Sequence, residues 1–252
     1  MSDPRMKATS RPRSRRSPTV INAFGLLLIA GLLALGTWQV KRLFWKLDLI
    51  ARVEARVHAA PVAAPVRGQW SSINAAGDEY RRVRLRGRLL NDKETLVYTA
   101  TELGAGYWVM TPLARDDGTT VLVNRGFVPT ERRASAARSQ GQISVETEVI
   151  GLMRMSEPGG SLLRSNRPSD DRWYSRDVAA IAATRDLSDV APYFIDADAT
   201  PNPGGLPVGG LTRVVFANNH LVYAVTWYCL SAMVAGMLIL VWRSGRSDGS
   251  DG

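Results

Sequence analysis

Two stretches of the chain carry no charged residue for long enough to cross a lipid bilayer. The first runs from Ser17 to Val40, between Arg16 and Lys41, and the second from Val214 to Trp242, between Arg213 and Arg243. A spanning helix needs about 20 mostly apolar residues, and each stretch supplies them. The first outruns the roughly 7–15-residue apolar core of a secretory signal and passes into Trp38-Gln39-Val40-Lys41-Arg42 with no small-residue cleavage pattern. It therefore reads as a retained anchor rather than a cleaved leader. Beyond it, Leu47, Ile50, Val53 and Val57 recur at helical spacing with charges between them. This amphipathic extension should end near Ala60, because Pro61 and Pro65 cannot continue a helix.

From Tyr80 the hydrophobic period changes to two. Val83, Leu85 and Leu89 alternate with arginines, and Gly87 marks a bulge or bend. Strands are predicted over Thr95–Thr99, Tyr107–Leu113, Thr119–Phe127 and Val145–Met155, with turns at Asn91-Asp92 and Asp116-Asp117-Gly118. After a break at Pro158-Gly159-Gly160, Ser175 is placed to cap a short helix from Arg176 to about Arg185. Tyr193–Asp196 is a last short strand, and the Pro- and Gly-rich run Thr200–Gly210 leads to the second apolar stretch. Together these elements predict a membrane α+β protein: two transmembrane helices flanking an external antiparallel β-barrel or sandwich-like domain with one or two short helices. The expected divisions are a basic tail at 1–18, a first span at 19–40, an external domain at 41–213 that opens with the amphipathic helix 41–60, a second span at 214–242, and a tail at 243–252.

Charge sets the expected orientation. Arg5, Lys7, Arg11, Arg13, Arg15 and Arg16 face only Asp3 in the N-terminal tail, and short basic tails stay cytoplasmic. Lys41 and Arg42 oppose this weakly, whereas Arg243 and Arg246 agree with it. Both termini are thus expected in the cytoplasm and the central domain outside it. The net charge of +9 is concentrated in that tail, so no basic face suited to nucleic acid is left elsewhere. Arg81-Arg82-Val83-Arg84-Leu85-Arg86 alternates like the solvated face of a strand. The 28 arginines against 4 lysines read as the codon bias of a GC-rich genome, favouring a bacterial inner membrane over a mitochondrial one. The single cysteine, Cys229, lies in the second span as a small packing residue, so the external domain has no disulfide.

The chemistry narrows to one side chain. His220 opens the second span, in Asn218-Asn219-His220-Leu221, and a titratable, metal-competent group held near lipid is costly enough to suggest function. Tyr223, Ala224, Trp227 and Ser231 follow it on one helical face. Ser231 with Ala235, and Ala30 with Ala34 on the first span, are small pairs that let helix backbones approach. Depth counting puts His220 level with Trp38-Gln39, near the external interface. On the residues alone, capping and interfacial hydrogen bonding is the ordinary reading of Asn218-Asn219-His220. His58, the other histidine, reads as a solvated helix-end residue. Arg125 ends an apolar strand and should need a carboxylate partner, with Asn124, Arg125 and Gly126 serving the fold. No nucleophile elbow, HExxH, paired-cysteine or phosphate-cradling motif is present, so the chain does not read as an enzyme.

Several segments in order resemble the SURF1 family of cytochrome oxidase assembly proteins. They are Gly36-Thr37-Trp38-Gln39 with Arg42, Trp45-Lys46 and Leu49-Ile50, then Tyr80-Arg81-Arg82-Val83 with Gly87, and Val121–Pro129. The series closes with Pro207-Val208-Gly209-Gly210 and with Asn218–Leu221 followed by Tyr223-Ala224 and Thr226-Trp227. Phe127 stands where the family pattern has tryptophan. The resemblance implies an inner-membrane factor that binds haem a transiently and aids its insertion into the catalytic subunit of a haem–copper oxidase, beside other assembly factors. It makes His220 the candidate axial ligand to the haem iron. Trp227 and Tyr223 would stack on the macrocycle and Arg213 would pair with a propionate. The alternatives are a scaffold of an assembly intermediate that never touches haem, and an envelope sensor with a ligand pocket in its β-domain.

Overall fold

In a computed structural model, residues 18–161, 163–214 and 216–247 are described. The basic tail expected at the N-terminus and the last residues of the C-terminal tail lie outside them. The chain separates into a helical unit, from the described parts of 1–49 and 216–252, and a β unit over 50–215.

Helix α1 spans Pro18–His58 without a break, and α4 spans His220–Ser247. Both are long and apolar enough to cross a membrane. α1 stops where Pro61 approaches, with Arg56 and His58 in its last turn, where cations meet the negative end of the helix dipole. Within the helical unit α1 and α4 pack along one seam. Gly25, Leu32 and Gly36 are buried on α1, and Ala224 and Ser231 on α4. Ala30 and Ala34, expected in that seam, are exposed instead. The glycines take the close-contact role: a Cβ on Gly36 would stand 2.8 Å from the Tyr228 ring, and one on Gly25 2.6 Å from Leu238. Cys229 also faces away from the seam and is exposed, not packed.

The β unit holds β1 (Val62–Ala63), the short α2 (Ala75–Asp78), β2 (Arg82–Leu89), β3 (Thr95–Thr101), β4 (Gly104–Ala114), β5 (Thr120–Pro129) and β6 (Glu146–Met155). A small hairpin of β7 (Gly160–Ser161) and β8 (Arg164–Ser165) follows, then α3 (Val178–Thr184) and β9 (Val190–Ala197). The main sheet runs β1-β2-β6-β9-β5-β4-β3, and β2 also pairs with β4 through Arg88↔Ala114 and Leu89↔Leu113, giving a barrel-like closure. Gly87 sits at that crossing, where a Cβ would come within 2.2 Å of Ala114 O. The sheet is mixed rather than antiparallel. β1 runs parallel to β2, and β5 runs parallel to β9 in the register Val123↔Ile195. A parallel pair needs a long crossover, and β6, the small hairpin and α3 supply it between β5 and β9.

Both faces of β5 and β9 are covered, which explains their near-continuous apolar sequence. Val121, Val123, Tyr193 and Ile195 join Val83, Leu85, Leu89, Leu113 and Met153 in one core. Leu122 and Phe194 turn the other way and pack with Val97, Met110, Trp173, Val178 and Ile181 beneath α3. The α3 cap is Asp177, which accepts from Ala180 N at 3.1 Å. Ser175, expected there, donates instead to Glu157 O at 2.6 Å. A buried ionic cluster ties the strands together. Asp196, 2% exposed, accepts from Asn124, Arg154, Arg176 and Thr212, while Arg154 and Arg176 reach out to Glu79 and Glu157.

Candidate functional site

Helix α4 begins at His220 rather than at 214; Phe216–Asn219 are not helical. Asn219 O accepts from Tyr223 N at 3.2 Å, so His220 occupies the first turn. Its ring is half-buried, and Nδ1 lies 2.7 Å from Oε1 of Gln39 on α1. Against that oxygen, which only accepts, Nδ1 is the donor of the bond. The same helix pair is joined by Thr37 Oγ1 and Tyr228 OH at 3.1 Å, and the Lys46 ammonium on α1 lies 5.0 Å from the ring centre of Phe216, in the segment just before α4.

Of the other expected site residues, two share α4 with His220 and one belongs to the β unit. Trp227 is half-buried on the seam side of α4, about two turns or roughly 10 Å along the axis from His220. Tyr223 is 53% exposed on the flank. Arg213 belongs to the β unit, where its exposed guanidinium pairs with Glu102 at 2.6 Å. Two further polar groups of the helical unit were not anticipated as site features: Trp227 Nε1 and Asn218 Oδ1 are buried and have no hydrogen-bond partner among the described residues. Gln39 was also missed as a partner of His220. Its shared depth with His220 was the only sign, since 181 residues separate them.

Elsewhere, His58 is exposed and bonds Glu54 one turn back at 3.1 Å. Arg125 is 3% exposed, and among the described residues no carboxylate pairs with it. Its guanidinium donates to the neutral acceptors Asn91 Oδ1, Gly141 O and Asn202 Oδ1. The nearby carboxylate, Glu94, is taken in a two-point grip by Arg138. Burial pushes the pKa of Arg125 down to about 10, still leaving it charged at neutral pH. Gly126 serves a close approach rather than a turn: at φ +125° it lies where a Cβ would meet Val208 O at 2.1 Å. Phe127 packs edge-on against Trp108, with ring centres 6.2 Å apart. Among the described residues, no three of His, Cys, Asp and Glu come together to cage a bare metal ion.

A sequence profile of the SURF1 family matches residues 26–232. The chain is 38% identical over 226 residues to Surfeit locus protein 1 of Homo sapiens, covering 82% of this chain and 72% of that one. It is 36% identical over 232 residues to Surfeit locus protein 1 of Takifugu rubripes, covering 85% and 93%. Over 225 residues it is 36% identical to the SURF1-like protein of Monosiga brevicollis, covering 84% and 83%.

Proposed function

The chain belongs to the SURF1 family, and we propose that it is a membrane-anchored assembly factor for a haem–copper oxidase, holding haem a transiently through His220 and handing it to the catalytic subunit. In this reading α1 and α4 span a bacterial inner membrane with both termini in the cytoplasm, and the β unit lies outside and docks on the nascent oxidase. The apolar side chains that α1 and α4 expose, such as Leu27 at 73% and Met233 at 69%, suit lipid and not water.

The observation that carries the proposal is the bonded state of His220. With Nδ1 donating to Gln39, the neutral form of the ring would leave Nε2 as a nitrogen donor at the head of an apolar helix. The macrocycle of a haem supplies its own equatorial nitrogens, and a single protein imidazole suffices as an axial ligand. The residues present fit such a cargo. Trp227 offers an aromatic face and an unsatisfied indole N–H, and Tyr223 an exposed ring.

A second reading is favoured by the same hydrogen bond. His220 and Gln39 also serve simply to pair two helices, and the protein would then be a scaffold of the assembly intermediate that never touches haem. A reduced-minus-oxidised visible spectrum of the detergent-purified chain from a host making haem a separates the two. A haem a band in the wild type that disappears in His220→Ala, at equal protein yield, supports the carrier. No band, or one equally strong in the variant, overturns it in favour of the scaffold.

A further inference from the structure

Gln39 is the only hydrogen-bond partner that His220 has among the described residues, and it comes from the other helix. Three consequences follow from that bond. An oxygen that cannot donate favours the neutral tautomer with the proton on Nδ1. It sets the rotation of the ring and so the direction of the Nε2 lone pair. It also raises the electron density of the ring, and such outer acceptors typically change metal affinity about 10–100-fold.

The position of the acceptor is itself well determined. Gln39 sits one turn beyond Gly36, where Tyr228 crosses α1 so closely that a Cβ would stand 2.8 Å from its ring. Thr37 bonds the hydroxyl of that same tyrosine at 3.1 Å. Lys46 caps the far side against Phe216. The carboxamide of Gln39 thus lies between a close crossing of α1 with α4 and a contact of α1 with the segment that leads into α4.

Building on the reading of His220 as an axial ligand, we infer that Gln39 is a positioning residue that prepares His220 Nε2 for haem iron and makes the strength of that ligand depend on the pairing of α1 with α4. Drawing the helices apart at this level breaks the bond, frees the ring to rotate, and weakens its hold on the cargo.

The test uses the full-length chain in detergent with ¹⁵N-labelled histidine. His58→Gln leaves His220 as the sole histidine, since the chain has 2. In the haem-free protein, the imidazole nitrogen shifts should report the Nδ1–H tautomer. Gln39→Leu should move them toward Nε2–H, Gln39→Glu should keep Nδ1–H, and Thr37→Val, which removes a different interhelical hydrogen bond, should change nothing. The haem a band should fall about tenfold in Gln39→Leu and be retained in Gln39→Glu. An Nε2–H tautomer in the unsubstituted chain overturns the inference, as does a band that depends on His220 but is unmoved by Gln39→Leu. A tautomer that switches while no variant carries haem overturns the ligand reading itself and confines Gln39 to helix pairing.

Discussion

Gly126 shows how much can hang on the absence of one Cβ. β5 meets Val208 through paired backbone hydrogen bonds, Phe127 N to Val208 O and Val208 N to Phe127 O, both at 2.9 Å. Gly126, at φ +125°, is pressed against that same carbonyl. Gly126→Ala therefore meets both a strained backbone and a backbone oxygen that cannot step aside. A loss of at least about 2 kcal/mol is expected, read as a lower thermal midpoint of the detergent-solubilised chain. An unchanged midpoint would mean that Pro207–Gly210 is not locked to β5. Arg125, one residue earlier, carries a different lesson. An arginine at the end of an apolar strand suggests a carboxylate partner, yet three neutral oxygens converge on it and the carboxylate goes to Arg138. Those acceptors come from residues 91, 141 and 202, so no local pattern announces them.

At the scale of elements, the two apolar helices were legible but their seam was not. Composition shows that a helix is apolar; when it is apolar all round, periodicity cannot say which face meets its neighbour. Hence the alanine pair on α1 pointed to the wrong face, and Gly25 and Gly36 make the contact instead. The difference is measurable within one helix. Gly36→Leu must displace the Tyr228 ring, whereas a Cβ at Gly31 meets nothing within 4 Å. Overpacking of this kind costs about 1–3 kcal/mol, so Gly36→Leu should lower the thermal midpoint by several degrees and Gly31→Leu should leave it in place. Equal effects from the two would remove the seam described above. The α3 cap shifted by two residues for a related reason. Ser175 and Asp177 are both competent caps, and the demand of Glu157 O for a donor decides between them.

Across the whole molecule, stability depends on groups that join distant segments, and one of them gives the β unit a pH signature. Tyr193, fully buried on β9, donates its hydroxyl to Pro65 O at 2.9 Å. Burial pushes its phenol up to about 12, against about 10 in an unfolded chain. Its contribution is therefore complete below pH 10 and is lost as pH rises toward 12, because the unfolded chain releases the proton first. Tyr193→Phe should be less stable at pH 8 by about 1 kcal/mol through the lost hydrogen bond. The two stability curves should then converge between pH 10 and 12; curves that stay parallel would show that the phenol is not held protonated.

The sequence by itself determined whatever depends on neighbours along the chain. It contained the two charge-free stretches, the in-and-out alternation of β2, the apolar run of β5, the breaks at proline and glycine, and a histidine at the head of the second helix. Local composition and period carry these features, because each is a property of a few consecutive residues facing one solvent or one core. Only the tertiary structure decided the parallel pairing of β5 with β9, the closure of β2 on β4, the neutral cradle of Arg125 and the bond from Gln39 to His220. Each of these joins residues tens to nearly two hundred positions apart. Which distant groups meet is settled by the packing of the whole chain, which lets only one set of buried donors and acceptors be satisfied together.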